Sequence, residues 1–215
     1  GKRDSGTVET GIVREAISVS GMGSGGKYLV GQVTAMRSEI FNTSLSAEGR
    51  AVLLYHVERM NEESANALLK VMEEPPERTY IIGLSMGGYG AMKCAFTAPQ
   101  QYAGCAGFSS VAEIQAELPQ LCRWHEDQAI FPHGIVPPQD DLFDLVEKFR
   151  DGTCPMPRLF LACGQQDSLY PANLRLRDTL QAMNWPLTWY EAPGDHNWFF
   201  WNDALGRAMK ELLEN

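Results

Sequence analysis

A serine flanked by glycines is the feature of this sequence that is best suited to chemistry. Ser85 stands in the pattern G-x-S-x-G. The apolar run 79–84 before it predicts a buried strand, and residues 91–97 after it predict a helix. A serine in such a strand-to-helix turn, a nucleophile elbow, has a strained backbone and an exposed hydroxyl that can attack a substrate. We expect Gly83 and Gly87 to be glycines because a Cβ two residues on either side of the serine would clash.

A nucleophilic serine needs a base, which is usually a histidine oriented by a carboxylate. The chain has four histidines. His56, His125 and His133 all precede the strand that we expect to carry the acid. His196 follows the strand-like run 187–191 and lies in a loop marked by proline and glycine. It is therefore the predicted base.

The predicted acid is Asp167, a few residues beyond the continuous apolar run 158–163, which is typical of a buried parallel strand. Asp195 is a rival, but a carboxylate next to the histidine in sequence rarely reaches its ring, and Asp203 is expected on the final helix. Each residue alone has a structural explanation, such as a glycine-rich turn, a helix cap or a buried histidine. Together they follow the chain order serine, acid, histidine of α/β-hydrolases.

Stabilising an oxyanion requires two hydrogen-bond donors. One is expected to be the backbone N–H of Met86, directly after the nucleophile. The other is expected from the glycine-rich loop 21–26, which follows a predicted strand and in which Met22 is our candidate donor.

Four separate motifs resemble those of one enzyme family. They are the elbow 83–93, the segment 141–145 before the acid strand, the acid loop 163–170 with Asn173, and the histidine loop 193–198 with Trp201. From about residue 80 to the C-terminus the chain is similar to the esterase D and S-formylglutathione hydrolase group, including bacterial tributyrin-esterase-like and acetylesterase-like members. The resemblance implies an α/β-hydrolase fold, carboxylesterase activity on short acyl esters, and no cofactor or metal. It also implies that Ser85, Asp167 and His196 form the catalytic triad.

The first third of the chain departs from that family. Its members usually have a His-Gly pair at the start of the oxyanion loop, where this chain has Ser20 and Gly21. Residues 47–79, and the segment 60–79 most clearly, resemble a bacterial DNA polymerase III clamp-loader subunit of the delta-prime or gamma kind. The two resemblances together suggest a chimera, either natural or engineered, or an assembly artefact.

A nucleotide-binding function is an alternative, since Gly21–Lys27 fits the phosphate-binding pattern G-x-x-x-x-G-K. However, Tyr28 stands where a serine or threonine should bind magnesium, and Tyr55 and His56 stand where the strand 51–57 should end in an acid. These differences disfavour ATP hydrolysis. The net charge of −9 argues against a nucleic-acid surface.

Composition predicts one globular domain over residues 1–215, in which residues 1–79 are atypical and residues 80–215 are esterase-like. Strands are expected near 15–20, 51–57, 79–84, 103–109, 158–163 and 187–191, and helices near 27–41, 60–73, 87–97, 141–150, 171–183 and 203–214. This alternation predicts a three-layer α/β/α sandwich with a mostly parallel sheet, a shortened α/β-hydrolase fold.

The cysteine pattern predicts a reducing compartment. There are five cysteines without C-x-x-C spacing, and we expect Cys94, Cys105 and Cys163 to be buried. We expect no signal peptide, and the sequence contains no apolar run of about 18 residues, so it predicts a cytoplasmic protein without a membrane span. The expected partner is a small-molecule ester, and a homo-oligomer is compatible with the sequence.

The substrate pocket is expected to involve aromatic residues. Trp124, in an insertion over residues 119–138, and Trp198, close to the base, are candidate pocket walls, although packing explains them equally well. Three functions remain open from the sequence: a serine carboxylesterase, a non-catalytic chimeric or truncated hydrolase scaffold, and a nucleotide-binding clamp-loader-like module.

Overall fold

The computed structural model describes residues 16–19, 51–54, 63, 66–69, 79–121, 131 and 134–213. The chain divides into two compact units, Gly1–Glu77 and Arg78–Asn215. This boundary lies close to residue 79, where the polymerase-like region of the sequence gives way to the esterase-like region. The predicted helix 27–41, the loop 21–26 and most of the insertion 119–138 lie outside the described residues. The single-domain organisation stays a prediction.

The first unit contains a small parallel sheet. Strand β1 (Ala16–Val19) pairs with strand β2 (Ala51–Leu54), and Ala16 lies opposite Ala51. Residues 66–69 are helical, within the helix predicted over 60–73. Both strands lie where the apolar runs predict them.

The second unit contains a four-stranded sheet in which every pairing is parallel. Its strands are β3 (Tyr80–Leu84), β4 (Gly104–Phe108), β5 (Arg158–Gly164) and β6 (Leu187–Ala192). They lie side by side in the same order as in the chain. Because the strands are parallel, the loops after their carboxyl ends all meet at one edge of the sheet.

Five α-helices of the described residues connect and follow these strands. They are α1 (Met86–Thr97), α2 (Ile114–Leu121), α3 (Leu142–Glu147), α4 (Tyr170–Ala182) and α5 (Trp198–Leu213). Helices α1, α3 and α4 lie where they were predicted. Helix α2 was not predicted, and it contains Pro119, which the sequence favoured as the start of an insertion.

The prediction that the last helix begins at residue 203 was wrong by five residues. Helix α5 begins at Trp198 because Asn197 caps it: Asn197 Oδ1 accepts hydrogen bonds from the N–H groups of Phe199 at 3.1 Å and Phe200 at 3.3 Å. No helix within the region of the chain that the structure describes combines the length and the apolar character needed to cross a membrane.

Side chains from the sheet alternate between two buried clusters, one on each face. On β5, Leu159 and Leu161 pack in the cluster that includes residues of α1, α3 and α4, whereas Phe160 and Ala162 pack with α5. Helices therefore cover both faces, which confirms the predicted three-layer arrangement and explains why the run 158–163 is apolar throughout.

The prediction that three cysteines are buried is confirmed for two of them. Cys105 and Cys163 are buried, but Cys94 is only half-buried. It lies on α1, which follows the elbow, at a position that packs against the core without being enclosed by it.

The elbow is held by close contacts of glycine backbone, although not all of the glycines act as predicted. A Cβ on Gly83 would lie 2.0 Å from the carbonyl oxygen of Gly87, so Gly83 must lack a side chain. A Cβ on Gly87 would meet nothing within 4 Å, so the clash predicted there was wrong. The second crowded position is Gly88, whose Cβ would lie 2.3 Å from Ser110 Oγ.

We expect Gly83→Ala to lower the free energy of unfolding by roughly 3 kcal/mol, because the added methyl group would meet backbone atoms that cannot turn aside. Gly90→Ala is the matched control, since a Cβ there meets nothing within 4 Å. It should raise stability by about 0.5–1 kcal/mol through its helix propensity. Urea unfolding of both variants measures the contrast, and equal losses of stability would contradict this account of the elbow.

Candidate active site

Ser85 has the backbone of a strained turn between β3 and α1. Its φ of 55° and ψ of −125° lie in a region that residues with side chains rarely adopt. The turn is fixed on both sides: Ser85 N donates to Phe108 O at 2.8 Å, and Ser85 O accepts from Val111 N at 3.2 Å. Neighbouring β4 and the loop after it thus hold the serine in place.

The Ser85 hydroxyl is not used as a helix cap. A serine at the N-cap position usually accepts a hydrogen bond from the first turn of its helix, but Ser85 makes no such bond with α1. Instead, Ser85 Oγ lies 3.0 Å from Nε2 of His196. The hydroxyl is therefore directed to the imidazole.

His196 joins the serine to Asp167. Its Nδ1 lies 2.9 Å from Asp167 Oδ2, which orients the ring with Nε2 toward Ser85. An ionised carboxylate can only accept, so Nδ1 carries the proton in this pair and Nε2 is free to accept one. Asp195 Oδ1 accepts the backbone N–H of His196 at 2.7 Å, so this rival acid contacts the backbone and Asp167 contacts the ring.

The Asp167 carboxyl is buried, with 3% of the residue exposed. Burial acts to raise its pKa, but hydrogen bonds from the side chains of His196 and Ser109 and from the backbone outweigh that effect and hold the pKa below its usual range. The backbone donor is Leu169 N, at 2.9 Å from Oδ1. Asp167 is thus arranged to stay ionised while it lies beside the histidine.

The acid and histidine loops are joined along their backbones. Gln165 N donates to Ala192 O at 3.0 Å, and Gln166 N donates to Gly194 O at 2.9 Å. A Cβ on Gly164 would lie 2.4 Å from the Gly194 carbonyl oxygen, so only glycine allows this approach. The separation of Asp167 and His196 is therefore set by backbone contacts, which side-chain motion does not change.

The loop after β4 contributes residues that the sequence analysis did not single out. Ser109 is fully buried, and its Oγ accepts a hydrogen bond from Trp201 Nε1 at 3.0 Å. Next to it, Asn173 of α4 donates to Ser110 O at 2.8 Å and accepts from Ser110 N at 3.2 Å. Ser109 and Ser110 directly follow a buried strand that lies between the strands leading to Ser85 and Asp167. Two consecutive serines in that position are the sequence pattern from which these residues could have been identified.

The predicted oxyanion donor Met86 is the first residue of α1. Its N–H is one of the groups that helix geometry leaves without an intrahelical acceptor, at the positive end of the helix dipole. The first turn of α1 contains no acidic residue that would offset this field. The second predicted donor, Met22, lies outside the described residues.

Of the predicted pocket walls, Trp198 is described and Trp124 lies outside the described residues. Trp198 is 65% exposed and packs edge-on against Trp201, with ring centroids 5.4 Å apart. Trp201 is buried and also meets the His196 ring edge-on at 4.8 Å. Trp198 thus offers an open apolar surface near the base, whereas Trp201 belongs to the core.

The described residues contain no group of three or more His, Cys, Asp or Glu side chains that could hold a metal ion. The expectation that no metal or cofactor is needed stays a prediction.

Two family models match the chain. The Esterase family matches residues 61–148, and the model of the DNA polymerase III delta subunit matches residues 6–87. Residues 61–87 are common to the two ranges, and the boundary between the two compact units lies within them.

Known proteins of the hydrolase group are similar to the chain. An acetyl esterase of Caldicellulosiruptor saccharolyticus is 29% identical over 143 residues, covering 62% of this chain and 54% of the relative. The crystal structure of an S-formylglutathione hydrolase of Staphylococcus aureus is 29% identical, with a TM-score of 0.55, and covers 69% of this chain and 58% of that one. A fluorophosphonate-binding serine hydrolase of the same organism is 28% identical, with a TM-score of 0.61 and coverage of 70% and 62%.

The polymerase-like region has a shorter match. A DNA polymerase III subunit delta' of Buchnera aphidicola subsp. Baizongia pistaciae is 32% identical over 53 residues, which cover 25% of this chain and 16% of the relative. This finding agrees in part with the suggestion of a chimera.

These comparisons confirm the resemblance to the S-formylglutathione hydrolase and acetyl esterase group, and the α/β-hydrolase-like fold. The chain spans about half the length of the acetyl esterase, 54%, and 58% of the S-formylglutathione hydrolase structure.

Asp167 should make stability depend on pH in a defined direction. Because its pKa is lower in the folded chain than in the unfolded chain, its ionised form contributes stability above the usual carboxyl pKa. That contribution is lost as the pH falls through the lowered pKa of the folded state. Thermal unfolding of the wild type and Asp167→Asn from pH 7 downward should therefore show a difference in stability that becomes less favourable to the wild type on acidification. A difference independent of pH would contradict the assignment.

Proposed function

We propose that the chain is a serine ester hydrolase in which Ser85 is the nucleophile, His196 the general base and Asp167 the residue that orients the base. One observation carries this proposal: the hydrogen-bonded sequence of Ser85 Oγ, the His196 ring and the Asp167 carboxylate, with separations of 3.0 and 2.9 Å. Such contacts between nucleophile and base, and between base and carboxylate, are those that activate a serine hydroxyl.

Acylation begins when Ser85 Oγ attacks the ester carbonyl carbon and its proton passes to His196 Nε2. The resulting imidazolium is stabilised by Asp167, which stays ionised and accepts the Nδ1 hydrogen. The negative charge on the carbonyl oxygen faces the Met86 N–H and the positive end of α1. The C–O bond to the leaving group then breaks, and His196 returns the proton to the departing oxygen.

Deacylation repeats these steps with water as the nucleophile. His196 removes a proton from water as its oxygen attacks the acyl carbon, and the same donors receive the oxyanion. When the tetrahedral intermediate collapses, Ser85 Oγ leaves and recovers its proton from His196. The products are the carboxylic acid and the regenerated serine.

We expect small acyl esters or thioesters as substrates. Two proteins similar to the chain are an acetyl esterase and an S-formylglutathione hydrolase, which by name act on acyl groups of one or two carbons. Two exposed apolar side chains adjoin the proposed reacting groups, Met86 beside Ser85 and Trp198 near His196. They offer surfaces for a small apolar acyl or leaving group, and we propose Trp198 as a substrate contact.

Ser85→Ala should lower the turnover of p-nitrophenyl acetate by roughly 10⁴-fold or more, because no other group replaces the nucleophile. Steady-state hydrolysis followed at the absorbance of p-nitrophenolate measures this loss. Ser168→Ala is a suitable control, since it removes an exposed hydroxyl one residue from Asp167. Its turnover should match that of the wild type.

A fluorophosphonate should label the wild type at Ser85 and should not label Ser85→Ala. Intact-mass measurement followed by peptide mapping identifies the modified residue. Label on a different serine, or turnover retained by Ser85→Ala, would overturn the assignment. A wild type that neither labels nor turns over would identify a non-catalytic hydrolase scaffold.

The match of residues 6–87 to the DNA polymerase III delta subunit supports a second candidate, a nucleotide-binding module. Tyr28 takes the place of the magnesium-binding hydroxyl, which weakens this candidate. If the first unit binds nucleotide, ATP with magnesium at a hundredfold excess over its Kd should stabilise the chain by about 2.7 kcal/mol. Thermal unfolding with and without ATP measures this effect, and Lys27→Ala should abolish it. No shift in either protein would exclude nucleotide binding.

A further inference from the structure

Glu191 is an acidic side chain in the sheet that the proposed reaction does not use. It lies near the end of β6 and is half-buried. Alternate residues of a strand face the same side. Trp189 packs in the cluster that includes residues of α4, so Glu191 faces α4 as well, whereas Tyr190 packs in the cluster of α5. A carboxylate partly withdrawn from water needs hydrogen-bond donors, and the origin of those donors shows which elements Glu191 joins.

Two of the donors come from either side of the proposed catalytic acid. The Tyr170 hydroxyl donates to Glu191 Oε2 at 2.9 Å, and Gln165 Nε2 donates to Glu191 Oε1 at 3.3 Å. Asp167 lies between these two residues in the acid loop 163–170. Tyr170 N also donates to Asp167 O at 3.0 Å. Tyr170 therefore contacts Asp167 through its backbone and Glu191 through its hydroxyl.

The Glu191 carboxylate is itself held in place. Trp189 Nε1 donates to Oε2 at 2.7 Å, and Arg177 of α4 has its Nη1 3.8 Å from the same oxygen. The Arg177 guanidinium also lies over the Trp189 ring, 5.3 Å from its centroid. Hydrogen bonds from Trp189 and Tyr170 hold the pKa of Glu191 below its usual range. Glu191 is thus ionised at neutral pH and accepts hydrogen bonds from the acid loop.

The strand that carries Glu191 leads directly into the loop of His196. We infer that Glu191 is a positioning residue that holds the acid loop against this strand and so keeps Asp167 within hydrogen-bond distance of His196. Glu191 acts through the placement of Asp167 and takes no proton in the reaction. This inference rests on the proposed esterase function, because Asp167 orients the base in that reaction.

The opposite face of β6 provides a matched control. The Tyr190 hydroxyl donates to Asp203 Oδ2 at 2.6 Å, and Arg207 Nε donates to the same oxygen at 3.0 Å. Arg207 also lies over the Tyr190 ring, 4.3 Å from its centroid. This cluster has the same three kinds of side chain, but it joins β6 to α5. Of the two tyrosine hydroxyls, the one on Tyr170 joins the strand to the acid loop.

The experiment compares the hydrolysis of p-nitrophenyl acetate by Glu191→Ala, Tyr170→Phe and Tyr190→Phe. In Glu191→Ala we expect kcat to fall roughly tenfold with little change in KM, because a displaced acid impairs proton transfer without altering substrate contacts. Tyr170→Phe keeps the ring and loses one hydrogen bond, so its kcat should fall by about threefold. It is the milder change and decides the question if Glu191→Ala does not fold. Tyr190→Phe should keep the kcat of the wild type.

Glu191→Gln tests whether the hydrogen bonds matter more than the charge. Its amide oxygen can still accept from Trp189 and Tyr170, so kcat should return to within about twofold of the wild type. A kcat equal to that of the wild type in both Glu191→Ala and Tyr170→Phe would overturn the inference. An equal loss in Tyr170→Phe and Tyr190→Phe would overturn it too, because it would show a general weakening of β6.

A second readout does not depend on activity. The His196 Nδ1–H, bonded to the Asp167 carboxylate, is expected to give a low-field proton NMR signal. This signal should move or weaken in Glu191→Ala and Tyr170→Phe and should stay unchanged in Tyr190→Phe. If the wild type neither turns over nor labels, the proposed function fails, and the NMR signal alone decides the role of Glu191. If the wild type is active and all variants match it in kcat and signal, only the role of Glu191 fails.

Discussion

Two close contacts between backbone segments, each made possible by a glycine without a side chain, determine the geometry of the site. At the elbow, Gly83 approaches the carbonyl of Gly87 so closely that a Cβ would lie 2.0 Å from its oxygen. At the other side, a Cβ on Gly164 would lie 2.4 Å from the Gly194 oxygen. The first contact lets the chain turn sharply enough to present Ser85, and the second brings the acid and histidine loops within hydrogen-bond distance. Backbone atoms in a packed structure move less than side-chain atoms, whose torsion angles can change. These backbone contacts therefore give the reacting groups a fixed separation.

The parallel sheet then brings one side chain from each strand to the same edge. Ser85 follows β3, Ser109 follows β4, Asp167 follows β5 and His196 follows β6. His196, in the loop after β6, contacts Asp167 in the loop after the neighbouring β5, and it also reaches Ser85 in the loop after β3, at the opposite end of the sheet. A single continuous sheet therefore converts residues that are distant in the sequence into one connected network.

The sequence was sufficient to predict those residues of the site that have both a reactive side chain and a recognisable local pattern around them. Ser85 lies in a glycine-rich turn after an apolar run, and Asp167 and His196 each follow another such run, so order and chemistry together indicated them. The start of α5 was missed because the aromatic residues after Asn197 conceal the helical periodicity, although Asn197 is itself a typical cap. Ser109 was missed because a serine at a strand end usually forms an ordinary turn, and its partner Trp201 is 92 residues away.

The glycines of the elbow show a further limit of local patterns. The motif explains why Gly83 is glycine, but the clash expected at Gly87 does not occur, and the crowded neighbour is Gly88. Its contact, Ser110, comes from a loop that follows a different strand, and a motif read along one segment contains no information about such a neighbour. The same reasoning applies to Cys94, whose apolar surroundings in sequence do not enclose it in the fold.

The chain order of the network has a consequence for biosynthesis. His196 is 111 residues after Ser85, and Trp201, whose indole N–H donates to Ser109 Oγ, belongs to the helix that follows the base. During translation the serine is therefore made long before the imidazole that would deprotonate it. A nascent chain or a truncated product that ends before β6 contains an elbow without a base, so its serine cannot react with cellular esters until synthesis has passed the last strand.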